Sequence, residues 1–295
     1  MMPTVRFQVV HSTTYGYSQP MADGFTTLHL QPRSTPHQTV ELSEISIDPT
    51  PDEYDASLDT FGNHTVQFAV HRPHTELTIA STIVVAVQQP EPVPNDDLPW
   101  EHVRELARTT GVHTPLVGPY LANTSHTPAL ESLRSLGNAA FPAGLGVVAG
   151  ISALCQKIFT DFQYDAGFSD VTTPLETVMS AQRGVCQDFS HIAAATLRSL
   201  GIPARYVSGY IETNPPDGQP HVVGADASHA WCSAWAGPHG WLDFDPTNNQ
   251  MPPTQHVTVG WGRDYRDVTP VRGVVIGPRG PQTLSVSVDV VRLAE

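Results

Sequence analysis

The spacing of apolar residues along this chain changes period at one place, a proline-rich stretch near residue 90. Before it the pattern alternates. Val5, Phe7 and Val9 take turns with polar neighbours, as do Val40, Leu42, Ile45 and Ile47 apart from one break in phase at Ser43 and Glu44. Period two marks a strand with one buried face. Phe61-Gly62-Asn63-His64 separates residues 54–60 from 66–70 as a hairpin turn would, and residues 77–87 are rich in Ile, Val and Thr, which suit a pleated surface. Short strands at this spacing predict a small antiparallel β-sandwich over residues 1–89. Pro90, Pro92, Pro94 and Pro99, set among Asn95, Asp96 and Asp97, then read as a stiff polar linker over 90–99.

Beyond the linker the spacing becomes helical over residues 100–109, 129–140 and 147–162, with Ile151, Leu154, Ile158 and Phe162 on one face of the third helix. Thr173-Pro174-Leu175-Glu176 reads as a helix start with Thr173 as cap and Pro174 at the first helical position. Another helix begins at Cys186 and carries Phe189, Ile192, Ala193, Thr196, Leu197 and Leu200 before Gly201 and Pro203 stop it. Strands are expected at 204–212, 228–236 and 241–245, parted by turns at 214–218 and 237–240. A last alternating strand at 283–293 is expected to extend their sheet. The division is thus 1–89, 90–99, 100–260 and a C-terminal extension at 261–295.

Composition bounds the partners. The 295 residues carry a formal net charge of −14, a surface that repels phosphate backbones and anionic lipid, so neither nucleic acid nor membrane is an expected partner. The N-terminus lacks the build of a secretory signal, and no apolar run approaches the length of a bilayer span. Three cysteines, Cys155, Cys186 and Cys232, cannot all pair within one chain, and a cytoplasmic location is the simplest expectation.

Three islands hold the residue types of covalent catalysis. Gly184-Val185-Cys186-Gln187-Asp188-Phe189 places a thiol where a loop becomes a helix. Ser228-His229-Ala230-Trp231 places an imidazole on a strand. Trp241-Leu242-Asp243-Phe244-Asp245-Pro246-Thr247 places two carboxylates at a strand end. A thiol attacks as its anion, and both a helix N-terminus and a neighbouring imidazolium favour that anion. An imidazole between thiol and carboxylate can take and return a proton while the carboxylate fixes its tautomer. Spacing alone leaves Asp243 and Asp245 as alternatives for the carboxylate. Attack on an amide carbonyl also needs donors for the oxyanion. The N–H of Cys186 is one, and Tyr164 is a candidate for the second.

Residues from about 162 to 248 resemble the bacterial transglutaminase-like core, within the papain-like superfamily. The resemblance rests on F-Q-Y-D, T-P-L-E, R-G-V-C-Q-D-F-S-H, L-R-S-L-G-I-P-A-R-Y-V-S-G-Y, G-A-D-A-S-H-A-W and W-L-D-F-D-P-T-N. The segments at 11–17 and 59–63 are similar to the β-domain that often precedes this core, and 262–273 resembles the same group. The resemblance implies an α+β fold: a papain-like transglutaminase core, with a Cys-bearing helix packed on an antiparallel sheet, preceded by a small β-sandwich domain. It also places Cys186, His229 and Asp245 on the Cys-His-Asp positions of a catalytic triad. The implied activity is acyl transfer from an amide through a thioester. Peptide, protein or amide-bearing small-molecule substrates follow, with hydrolysis preferred to amine transfer. The alternatives are a protein-cross-linking transglutaminase and a non-catalytic binding module of the same fold.

Bland readings apply elsewhere. Cys155 and Cys232 read as packing residues, and Arg205 and Tyr206 as braces of the fold. Asp188 can serve the helix dipole or, with Gln187, the substrate. Trp231 can be a wall residue or can flank an acyl slot. No H-E-x-x-H, C-x-x-C, EF-hand loop or G-x-S-x-G is present, so neither a metal, another cofactor nor a serine nucleophile is expected.

Overall fold

The structure, a computed structural model, describes residues 4–88, 97–109, 117–212, 228–251 and 255–294. Its first strand, β1 (Thr4–Met21), keeps the alternation of its sequence: Phe7, Val9, His11 and Thr13 are buried, while Arg6 and Val10 face outward. It pairs antiparallel with β6 (His74–Gln88) on one side and β14 (Gln282–Leu293) on the other, and β3 (Gln38–Asp48) completes the order β14-β1-β6-β3. A second sheet runs β13 (Val271–Ile276), β2 (Asp23–Leu28), β5 (His64–Val70), β4 (Glu53–Leu58). The turn between β4 and β5 closes on Gly62 at φ +75°, with Asp59 Oδ1 accepting from the N–H groups of Phe61 and Asn63. A carboxylate that satisfies its own turn is the usual reason for Asp there.

The last strand departs from expectation. It joins the β-domain, with Val288 and Val290 opposite His11 and Val9, and β13 likewise pairs with β2. The edge of the core sheet that it was expected to extend is already taken. That sheet has the order β11 (Trp241–Phe244), β10 (Ser228–Trp235), β9 (Ala204–Ile211), β12 (His256–Gly262), and β12 was not foreseen. Of the expected linker and turns, residues 89–96 and 214–218 lie outside the described residues.

Both faces of the core sheet are covered, which explains why β9, β10 and β12 are apolar nearly throughout rather than alternating. One face meets helices α1 (Trp100–Thr109), α2 (Glu131–Ala140), α3 (Val147–Asp161), α4 (Leu175–Ala181) and α5 (Cys186–Ser199) in the main core. On the other face, Tyr210, Val257 and Val259 pack on Phe7, Val9, Ile83 and Val85. The long strands β1 and β6 therefore serve two cores. Their far halves, through Tyr17, Leu77 and Ile79, pack on Leu28, Val66 and Phe68 of the second sheet.

Two side-chain amides join the domains along the outer edge of β12. Gln38 donates to the Thr258 carbonyl at 2.7 Å and accepts from its N–H at 2.8 Å. Asn63 treats Trp261 in the same way, at 2.8 and 2.9 Å. Each amide supplies the donor and acceptor that a further strand would have offered. Nearby, the Arg205 guanidinium stacks on Trp241 at 3.6 Å and on Trp261 at 4.3 Å, the brace expected of it.

Candidate active site

Helix α5 carries the thiol. It is buried almost all round, and it ends at Leu200 with Gly201 at φ +82°, the left-handed exit that Gly makes without strain. Its start depends on Asp188. This carboxylate, 2% exposed, accepts from the Val185 N–H at 2.9 Å and from the Ser169 hydroxyl. It closes the first turn from inside the helix, as the Glu of a capping box does. A Cβ at Gly184 would come within 2.7 Å of that carboxylate, so the approach to the helix needs a residue without a side chain. Burial raises the Asp188 pKa above the ordinary carboxylate range, against the lowering effect of Ser169 and Val185. Cys186 is then the first helical residue, half-buried, in the turn whose N–H groups have no acceptor within the helix. The expected start of α4 is displaced by one residue. Pro174 is its cap and Leu175 its first residue, while Thr173 bonds Asp170 instead.

His229 enters from β10, opposite Gly209 of β9. A Cβ at Gly209 would lie 2.0 Å from the Val257 carbonyl and 2.8 Å from the Trp231 ring, so the close packing of β9, β10 and β12 here requires glycine. The His229 Nε2 donates to Asp245 Oδ2 at 2.8 Å, and Cys186 acts on the same ring. Burial opposes a charge on the ring, but the interactions with Asp245 and Cys186 outweigh it and raise the His229 pKa to about 9.

Asp245 follows β11 in a tight turn closed by reciprocal backbone bonds with Gln250. Its Oδ1 accepts from the N–H groups of Thr247 and Asn248 at 2.8 and 3.3 Å, and its Oδ2 from Asn248 Nδ2 at 2.7 Å. The Asp-Pro-Thr-Asn run thus folds around its own carboxylate. Burial alone would raise this carboxyl, yet the bonds from His229 and His256 hold it far below the ordinary range. Asp243 is engaged elsewhere, accepting from Trp231 Nε1 at 3.1 Å. Geometry therefore separates two carboxylates that spacing could not.

The remaining candidates divide. Trp231 is fully buried, with its ring stacked on His229 at 6.1 Å between centroids, and forms a wall rather than a slot. Tyr164, on the short strand β7 (Gln163–Tyr164) beside β8 (Arg183–Gly184), is 54% exposed and within electrostatic reach of Cys186. Gln187 faces a cavity of about 270 Å³ shared with His126, Thr173, Asp188, His191 and Arg266. Cys155, buried, donates its thiol to the Asp245 carbonyl at 3.3 Å.

Sequence reasoning missed His256. It sits at the start of β12, 5% exposed, with Nε2 2.9 Å from the same Asp245 Oδ2. The β-branched run Val257-Thr258-Val259 was the available signal, and the glycines and prolines around it obscured it. The ligating atoms of His229, Asp245 and His256 all lie within 4.8 Å of one another, a donor set that suits zinc. Their mutual hydrogen bonds account for the cluster without a cation, since both Nε2 atoms point at one carboxylate oxygen.

Residues 7–86 match the bacterial transglutaminase-like N-terminal region, and residues 144–246 match the transglutaminase-like superfamily. An uncharacterized protein of Mycobacterium tuberculosis is 36% identical over 292 residues, covering 98% of this chain and 93% of that protein. A protein-glutamine gamma-glutamyltransferase of Pseudomonas aeruginosa is 39% identical over 77 residues, 25% of this chain and 11% of that one. The crystal structure of a candidate cysteine protease from Cytophaga hutchinsonii superimposes with a TM-score of 0.74 at 20% identity, over 99% of this chain and 92% of the other. The fold is that of this neighbour from end to end, and the chain belongs to the transglutaminase-like superfamily.

Proposed function

We propose that this chain is a cysteine acyl-transfer enzyme acting on an amide or peptide bond, with Cys186 as nucleophile, His229 as acid and base, and Asp245 as the group that orients His229. The observation that carries the reading is the buried hydrogen bond of 2.8 Å between His229 and Asp245, with Cys186 acting on the same imidazole from the first residue of a helix. The Cys186 thiolate attacks the carbonyl carbon, and first-turn N–H groups face the oxyanion. As the tetrahedral intermediate collapses, the C–N bond breaks and the His229 proton passes to the leaving nitrogen. Asp245 supports the imidazolium meanwhile. Water attacks the resulting thioester, gives its proton to His229, and frees the acid and the thiol. Hydrolysis is preferred because water is always at hand and no amine site is evident among the described residues.

Amine transfer is the second reading, favoured by the identity with a gamma-glutamyltransferase over 77 residues. Intact-mass analysis after brief exposure to iodoacetamide should find one carbamidomethyl group, on Cys186, and none in His229→Ala. Equal labelling of the three thiols would sink the reading. A glutamine-bearing acceptor incubated with a fluorescent amine separates the two outcomes: covalent fluorescence means transfer, and ammonia without fluorescence means hydrolysis.

A further inference from the structure

Three donors converge on Asp245 Oδ2: His229 Nε2 at 2.8 Å, Asn248 Nδ2 at 2.7 Å and His256 Nε2 at 2.9 Å. The first belongs to the proposed proton relay and the second to the carboxylate's own turn. The third comes from a different strand and needs its own explanation. His256 is buried edge-on against Trp231 at 4.8 Å between centroids, and 5.4 Å from His229. Its other nitrogen, Nδ1, is buried with no hydrogen-bond partner among the described residues. An orphaned polar atom is a cost that an apolar side chain of the same volume would avoid. A histidine that fills space badly on one side while bonding a carboxylate on the other is there for the bond.

Its protonation follows from the surroundings. Burial lowers the His256 pKa, with the His229 charge acting in the same direction, and Asp245 only partly offsets them. The bond to the Asp245 carboxylate, which only accepts, places a proton on His256 Nε2. The strand that delivers it is fixed from outside, because β12 carries the amides of Gln38 and Asn63 along its edge.

We propose that His256 is a positioning residue: from a separate strand it adds a donor to Asp245 Oδ2 beside those of the turn and so fixes the carboxylate toward His229, and the β-domain holds His256 in place through β12. This rests on the reading of Cys186, His229 and Asp245 above and adds to it a residue and a task for the N-terminal domain. Removing the donor takes one of three bonds from Asp245 Oδ2, loosens the carboxylate, weakens its bond to His229 and slows the thiol.

The test pairs two variants of similar bulk, His256→Gln, which keeps an N–H donor, and His256→Met, which does not. Carbamidomethylation of Cys186 should slow on the order of tenfold in His256→Met, and His256→Gln should recover most of the wild-type rate. The downfield proton resonance of the His229 Nε2–H, read by NMR, should persist in wild type and His256→Gln and vanish in His256→Met. Circular dichroism establishes that both variants fold. If only His256→Gln folds, the role of His256 is structural and the positioning proposal falls. Wild-type rates and resonance in His256→Met overturn it, and so does equal slowing in both folded variants. Selective labelling of the wild type alongside either result leaves the thiol reading intact and removes only this inference. Unselective labelling of the wild type removes both.

Discussion

Asn63 of the β-domain and Trp261 of the core sheet hold each other through two hydrogen bonds, the Asn63 amide accepting from the Trp261 N–H at 2.9 Å and donating to its carbonyl at 2.8 Å. Asn63 is 1% exposed, so water cannot replace either bond. Asn63→Leu should cost about 1–3 kcal/mol for each backbone group left unpaired. The urea midpoint should fall with the slope unchanged. A midpoint equal to wild type would mean that the seam does not depend on this amide.

Stability should depend on pH through two groups that act in opposite directions. The folded state raises the His229 pKa from 6.5 to about 9. Its contribution is complete below the unfolded value and is lost as pH rises through about 9. Asp245 is held below its ordinary 3.8, so its contribution is complete above that value and is lost as pH falls through the folded pKa. The stability gap between wild type and His229→Gln should therefore be largest near about pH 6 and shrink towards about pH 9.5. Urea melts at both values measure it, and a constant gap would contradict the assignment of charge to His229.

Asp188 should prove a stability residue. Replacing it with Ala orphans the Val185 N–H and should cost about 1–2 kcal/mol, whereas Asp188→Asn, which keeps an acceptor, should lose much less. Thermal unfolding of the pair decides. Equal destabilisation would show that the negative charge, rather than the cap, is what the helix requires.

Cys155 and Cys232 should resist alkylation in the folded protein. Burial pushes the Cys155 pKa up to about 12 and raises that of Cys232 as well, and the side chains are 2% and 0% exposed. Peptide mapping after iodoacetamide should find them modified only in urea. Modification under native conditions at a rate like that of Cys186 would mean that the core opens readily.

Most of the fold could be read from periodicity because most elements bury one stripe or one face. β1 alternates visibly, and α3 shows Ile151, Leu154 and Ile158 at helical spacing. The misses have separate causes. β12 is buried on both faces, so nothing alternates, and its two glycines read as breakers although Gly260 is needed where Asn63 approaches. The destination of β14 was illegible for another reason: alternation states which face is inward but not which neighbour lies alongside. At the site, the thiol and the first imidazole were evident from their local context. The choice between Asp243 and Asp245 was not, because they stand two apart at one strand end and only their partners, Trp231 for Asp243 and His229 for Asp245, separate them. His256 was hidden because it acts on a carboxylate eleven positions away, across a turn whose shape no spacing rule predicts.

The pairing of β1 with β14 has a consequence for biosynthesis. The two strands match residue for residue from Arg6 with Leu293 to Tyr17 with Gln282, so β1 waits for a partner made more than 260 residues later. A nascent chain at roughly 5–20 residues per second leaves β1 without that neighbour for about 15–60 seconds. During this time β6 can cover one edge of β1, but the backbone groups of the other edge stay unpaired. Ribosome-stalled chains ending before residue 282 should accordingly be cut by protease within the β-domain, while full-length released chains resist.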